Sequence, residues 1–263
     1  MEMGLKDKVA LITGGSDGIG KAAAMSMSVE GAKVVICARS QDMLDKAADE
    51  IRSATGGEVL AVSTDITQPD QIKSLFDKAI ETFGRIDILV NNAGTSAAGY
   101  FEDVTDETWS YDIELKLFGA IRCSRLAIPH MKAQGGGRII NITTPGGKAP
   151  APHSVPTSVS RAAGIALTKE MSKDYAVDNI LVNTVCIGLI KSGQHKRRWE
   201  QQNAQNPSLT LDNWYDDMAK RVPLGRVGEA EEAGDLIAFL ASNRASYITG
   251  VAINIDGGTS SVV

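Results

Sequence analysis

The chain is poor in the residues that build metal sites and thiol switches. Its 263 residues hold only 3 Cys and 3 His. Cys37, Cys123 and Cys186 are odd in number, sit among apolar neighbours and lack the spacing of zinc or redox motifs. They read as small buried hydrophobes. His130, His153 and His195 have no acidic or cysteine partner at ligand spacing, so no metal is expected. An excess of positive charge is also missing: the net charge of −5 argues against a nucleic-acid partner. No apolar run is long enough to span a bilayer, and Met1-Glu2-Met3-Gly4-Leu5-Lys6-Asp7 lacks a signal-peptide pattern. A cytoplasmic protein with no membrane partner is the expectation. No linker divides the chain, whose length suits one α/β domain over residues 1–263 with an ample core.

What is present is concentrated near the start. Val9-Ala10-Leu11-Ile12-Thr13 is a continuous apolar run of the kind that forms a buried parallel strand. Gly14-Gly15-Ser16-Asp17-Gly18-Ile19-Gly20 follows as a turn, and Lys21-Ala22-Ala23-Ala24-Met25 begins a helix. Gly14 permits a sharp turn, Gly18 close approach of a pyrophosphate, and Gly20 tight helix–strand packing. The helix would aim free N–H groups and its positive end at that phosphate. The spacing Gly-x-x-x-Gly-x-Gly differs from G-x-G-x-x-G, and alone it also describes a ligand-free strand–helix turn. Its place at the head of an alternating pattern points to a nucleotide.

That alternation continues along the chain. Apolar runs at 34–38, 59–62, 86–90, 138–142, 181–185 and 251–255 read as strands. Segments 18–30, 41–54, 68–83, 107–133, 158–176 and 229–241 read as helices, the fourth of them one long helix. Strand–helix alternation implies right-handed crossovers and a parallel sheet covered on both faces. Residues 191–223 form the one irregular stretch, polar and containing Pro207. It lies beyond a strand's carboxyl end, where a substrate lid is expected.

By these motifs the chain resembles the short-chain dehydrogenase/reductase family along nearly its whole length. The matching stretches are Thr13 to Gly20, Asp65-Ile66, Asn91-Asn92-Ala93-Gly94, Gly137 to Ile142 and Asp256-Gly257-Gly258. The resemblance implies a Rossmann-type, doubly wound parallel sheet of about seven strands and a nicotinamide dinucleotide held by Gly14, Ser16, Asp17, Gly18, Ile19 and Gly20. Asp65 and Ile66 would contact the adenine, and Asn91, Ala93 and Gly94 would line the cofactor. Ile187-Gly188 stands where the family usually has Pro-Gly beside the nicotinamide. The resemblance also implies a homodimer or homotetramer built on the two long helices.

An acidic residue ending the second strand would bind the ribose 2′-hydroxyl. Here that position is Ala38, and Arg39 follows with donors suited to a 2′-phosphate. NADP is therefore expected over NAD, although Asp17 stands where NADP-dependent relatives often carry a basic residue.

The family's Asn, Ser, Tyr and Lys tetrad falls on Lys116, Thr144, Thr157 and Arg161, and no Tyr-x-x-x-Lys occurs anywhere in the chain. Thr144 keeps a hydroxyl for a carbonyl oxygen. Arg161 keeps a charge for the ribose but cannot be deprotonated. Thr157 is an aliphatic alcohol where a phenol of pKa ~10 is usual, so another acid is required. Lys116 is the first candidate, because a neighbouring Arg161 would lower its pKa. His153, with an unperturbed pKa of ~6.5, is the second. Tyr100 is a third. Lys191, His195, Lys196, Arg197, Arg198 and Trp199 form a basic run in the lid, either a solvated helix face or a contact for an anionic substrate tail. Three functions stay open: an oxidoreductase with a rearranged proton donor, a non-catalytic dinucleotide-binding protein, and a lyase or isomerase in the same pocket.

Overall fold

Apolar runs without polar interruption become strands covered on both faces, and successive residues of each run serve opposite layers. The computed structural model, which describes residues 2–263, has seven such strands. They are β1 (Val9–Thr13), β2 (Lys33–Ala38), β3 (Val59–Ser63), β4 (Ile88–Asn91), β5 (Gly137–Thr143), β6 (Ile180–Ile187) and β7 (Ala252–Ile255). All pairs are parallel, in the order β3-β2-β1-β4-β5-β6-β7. The expected doubly wound Rossmann-type sheet is what forms.

On one face, Ala10 and Ile12 of β1 join Met27 of α1 (Gly18–Val29), Leu44 and Ile51 of α2 (Gln41–Thr55), and Ile237 of α9 (Ala230–Ala241). On the other, Val9 and Leu11 meet α3 (Pro69–Phe83) through Ile72, Leu75 and Phe76. That face is completed by Cys123, Ala127 and Met131 of α5 (Gly119–Ala133) and Met171 of α6 (Thr157–Asp174). All three cysteines are buried and unpaired, as small hydrophobes would be.

Two expectations are corrected. The helix read over 107–133 is continuous but not regular: α4 (Asp106–Ile113) passes through a π turn at Glu114–Phe118 into α5. The wider turn inserts an extra residue and re-aims side chains, as such turns do at functional sites. The stretch 191–223 is not irregular either. It contains α7 (Gly193–Asn203), capped by Ser192, and α8 (Leu211–Ala219), capped by Thr210. α7 is polar with hardly an apolar position, whereas α8 carries Leu211, Trp214, Tyr215 and Met218 at helical spacing over only 9 residues, a signal too short to stand out. No helix among the described residues is long and apolar enough to cross a membrane.

Parallel pairing brings the carboxyl ends of β1, β4, β5 and β6 to one edge. Thr13, Asn91, Thr143 and Ile187 end there, and the turn from Gly14 to Gly20, Asn92-Ala93-Gly94, Thr144 and Gly188 follow them, while Arg39 follows β2 and Asp65-Ile66 follows β3.

Candidate active site

The turn after β1 is tied to the turn after β4. Thr13 Oγ1 accepts the N–H groups of Asn92 and Ala93 at 2.9 and 3.0 Å. Asn92 Nδ2 donates to the carbonyls of Thr13 and Gly14 at 2.9 and 3.1 Å. Gly14 has φ +67°, and a Cβ on Gly20 would lie 2.2 Å from Gly14 O, so side chains are excluded from both. Asp17 caps α1 by accepting the Gly18 N–H at 2.7 Å. The N–H groups of Ile19 and Gly20 have no partner among the described residues. With Ser16 in the turn itself, this cradle of unfilled N–H groups at a helix start fits a pyrophosphate. Asn91, by contrast, turns into the core: its Nδ2 donates to Asn141 Oδ1 at 2.9 Å and Ser124 Oγ at 3.2 Å.

On the adenosine side, Arg39 is exposed just beyond β2. Asp65 Oδ1 accepts the backbone N–H and hydroxyl of Thr67 at 2.9 and 2.8 Å. Ile66 is buried, with Cγ2 where a Cβ on Gly119 would come within 2.5 Å. Its side chain serves the core and only its backbone is left for a ligand. Ile187 is likewise buried. Gly188 has a reason independent of any cofactor: a Cβ there would lie 2.5 Å from Asp256 Cβ.

A polar cluster fills the space between the π turn and the start of α6. Lys116 is ion-paired to Asp112, one turn earlier, and both side chains are only 1% exposed. Lys116 Nζ also donates to Thr157 Oγ1 at 3.0 Å. Ser160 Oγ holds the other Asp112 oxygen at 2.6 Å, and the Ala97 N–H reaches Thr157 Oγ1 at 3.0 Å. Burial, and then the charge of Arg161, lower the pKa of Lys116 to about 8 against the opposing pull of Asp112. Arg161 is itself lowered to about 10 by burial. Its Nη1 donates to Ile142 O at 2.6 Å, its Nη2 lies 2.7 Å from where a Cβ on Gly94 would be, and its Nε is buried without a partner. Thr144 follows β5 directly and makes no capping bond from its side chain, leaving the hydroxyl available.

Lys116, Thr157, Arg161 and Gly94 thus converge. His153 and Tyr100 do not join them. Both are exposed at the rim, their rings stacked with centroids 3.8 Å apart and His153 held at φ +58°. Of the basic run, Lys196, Arg197 and Arg198 are exposed on α7, whereas Trp199 ties the lid together by donating to Leu209 O at 2.8 Å. His195 Nδ1 is buried without a partner, and burial with nearby Arg198 lowers its pKa to about 4. Asp112 and Ser160 were missed from sequence. The signal for Asp112 was its position four residues before Lys116. Among the described residues no cluster of His, Cys, Asp or Glu could hold a metal.

A family model described as enoyl-(acyl carrier protein) reductase matches residues 14–260. A 3-oxoacyl-[acyl-carrier-protein] reductase of Thermotoga maritima is 36% identical over 256 residues, 97% of this chain and 99% of that protein. L-sorbose reductase of Gluconobacter frateurii, solved with NADPH and L-sorbose, superposes with a TM-score of 0.95 at 33% identity, covering 100% of both chains. An NADPH-bound short-chain oxidoreductase of Pseudomonas aeruginosa, described as containing an atypical catalytic center, gives 0.90 at 35% identity over 99% of each chain. The chain belongs to the short-chain dehydrogenase/reductase family. Its relatives by sequence and structure are oxidoreductases.

Proposed function

We propose that the protein is an NADP(H)-dependent oxidoreductase that interconverts a carbonyl and an alcohol, with Thr157 facing the reacting oxygen and Lys116 supplying the proton behind it. Arg39 beyond an unacidic β2 end, together with NADPH in the related structures, supports NADP over NAD. When bound, the nicotinamide supplies or accepts the hydride. The observation that carries the proton path is the 3.0 Å bond from Lys116 Nζ to Thr157 Oγ1.

Thr157 Oγ1 already accepts from Lys116 and from the Ala97 N–H, so its own proton is the one left to offer outward. Both bonds stabilise the negative charge that grows on Oγ1 as that proton leaves, one of them from a cation. In reduction, Thr157 gives its proton to the carbonyl oxygen and takes one from Lys116, which ends neutral beside Asp112. Oxidation reverses both transfers. The Thr144 hydroxyl provides a second donor to the same oxygen, and Arg161, fixed on Ile142 O, places positive charge against Gly94. A buried lysine of lowered pKa suits this role, because the best general acid titrates near working pH.

The exposed Lys196, Arg197 and Arg198 of α7 support a small anionic substrate. Exposed Tyr111, Phe118 and Val159 on the outer faces of α4, the π turn and α6 support a homodimer or homotetramer.

The test is NADPH oxidation against a panel of ketones and keto acids by the parent, Thr157→Ser and Thr157→Val. Serine should keep activity and valine lose it. NADPH binding without turnover of any substrate would select a non-catalytic binding protein. Turnover with no net change in the cofactor's redox state would select a lyase or isomerase.

A further inference from the structure

The anion cradle of this chain contains a carboxylate of its own. Asp17 Oδ1 accepts the Gly18 N–H at 2.7 Å, so it occupies one of the donors a pyrophosphate would use. It also sets a negative charge at the positive end of α1, which stabilises the helix but repels an incoming anion. Within a Debye length of ~8 Å at physiological salt, that repulsion is only partly screened.

The lid answers this charge. Ser192 Cβ lies 3.4 Å from where a Cβ on Gly18 would be, so the start of α7 sits directly on the turn. A Cβ on Gly193 would come 1.6 Å from Asp17 Oδ2, an approach that only glycine permits. Arg197 follows Gly193 by four residues and shares its helix face. Its Nη1 lies 4.0 Å from the same Asp17 oxygen. The segment leading into α7 is anchored separately, by Lys191 to Glu229 at 2.6 Å.

We infer that Gly193 and Arg197 form an electrostatic latch on Asp17 that couples lid opening to release of the dinucleotide. With the lid down, Arg197 cancels the Asp17 charge and adds a cation near the pyrophosphate. With the lid up, the Asp17 carboxylate would lose this counter-ion and weaken anion binding at the turn. The coupling rests on the dinucleotide-binding reading above. Arg197 is a positioning residue here: it acts on the cofactor through Asp17 and the lid.

Three variants test this: Arg197→Gln, Asp17→Ser and the two combined. NADPH affinity is read by fluorescence titration, its dissociation rate by stopped flow, and opening of residues 191–203 by hydrogen exchange in the unliganded protein. Arg197→Gln should release NADPH about three- to tenfold faster, a range set by exposed ion pairs plus one lost phosphate-side charge, and exchange faster across α7. In the Asp17→Ser background the same change should lose most of its effect, and 1 M salt should shrink it in the parent. An Arg197→Gln protein that releases NADPH at the parent rate overturns the coupling, as does an undiminished effect in the Asp17→Ser background. Failure of the parent to bind any dinucleotide would defeat the underlying reading and the coupling together. Hydrogen exchange then decides the latch alone: unchanged exchange in Arg197→Gln refutes it.

Discussion

Thr157 Oγ1 lies 3.0 Å from Lys116 Nζ, whose side chain is 1% exposed, and under the proposed mechanism this contact divides proton handling between the hydroxyl and the buried ammonium. Sequence made Lys116 the first candidate for direct donation. The proposed mechanism sets it one step back, behind Thr157, because its side chain is only 1% exposed.

Lys116→Met should therefore leave NADPH affinity near the parent value and slow reduction by about 10²-fold or more, the usual range for a general acid. Steady-state kinetics beside a binding titration separates the two. Asp112→Asn should also slow reduction, because Lys116 then loses the partner that holds it against Thr157.

The direction of pH dependence follows from the Lys116 pKa of about 8. Reduction needs the ammonium, so kcat should be flat below that value and fall as pH rises through it. Oxidation needs the neutral amine, so kcat should rise over the same interval. In Lys116→Met both inflections should vanish from the pH–rate profiles.

Under the proposed NADP preference, Arg39 would hold the 2′-phosphate. Arg39→Leu combined with Ala38→Asp should weaken NADPH and strengthen NADH, changing the ratio of their dissociation constants by roughly tenfold or more, the value of a charge-assisted bond. Titrations with each dinucleotide read that ratio.

Asp87 is a structural carboxylate at the opposite end of the sheet. It accepts from the Val9 N–H at 2.9 Å, Arg85 Nε at 2.8 Å and Lys8 Nζ at 3.2 Å. Burial alone would raise its pKa, but bonds from Arg85 and Val9 and the charge of Lys8 outweigh that and hold it low. Asp87→Ala should cost about 2–3 kcal/mol by leaving buried donors unpaired. Because the folded pKa is depressed, the stabilisation is present above the unfolded value of ~3.9 and fades as pH falls through the lower folded one. Denaturant melts at pH 7 and pH 3 should show the gap between parent and variant narrowing in acid.

Phe118 and Val159 are exposed apolar residues on neighbouring helical faces. Phe118→Glu should shift a homo-oligomer toward smaller species in light scattering, with the far-ultraviolet dichroism unchanged.

The sheet was legible because each strand is an apolar run bounded by glycine or polar residues, as in Val9–Thr13 before Gly14. The cradle was legible for a similar local reason. Asp112 and Ser160 were not, since their roles depend on which helix faces meet. The spacing of four residues between Asp112 and Lys116 was visible, but it also describes an ordinary surface pair. Nor did Ile66 announce that its side chain belongs to the core, because a short apolar residue after a strand suits either role. Helix α7 escaped notice for want of an apolar stripe, and α8 because its stripe of Leu211, Trp214, Tyr215 and Met218 spans only about two turns.

The π turn at Glu114–Phe118 makes the proton path sensitive to chain length as well as to side-chain chemistry. Removing one residue from it would restore ordinary winding and rotate α4 by about 100° relative to α5. Asp112 would swing away from α6 while the strands kept their pairing. A one-codon deletion there should yield a folded, silent protein that no point substitution repairs.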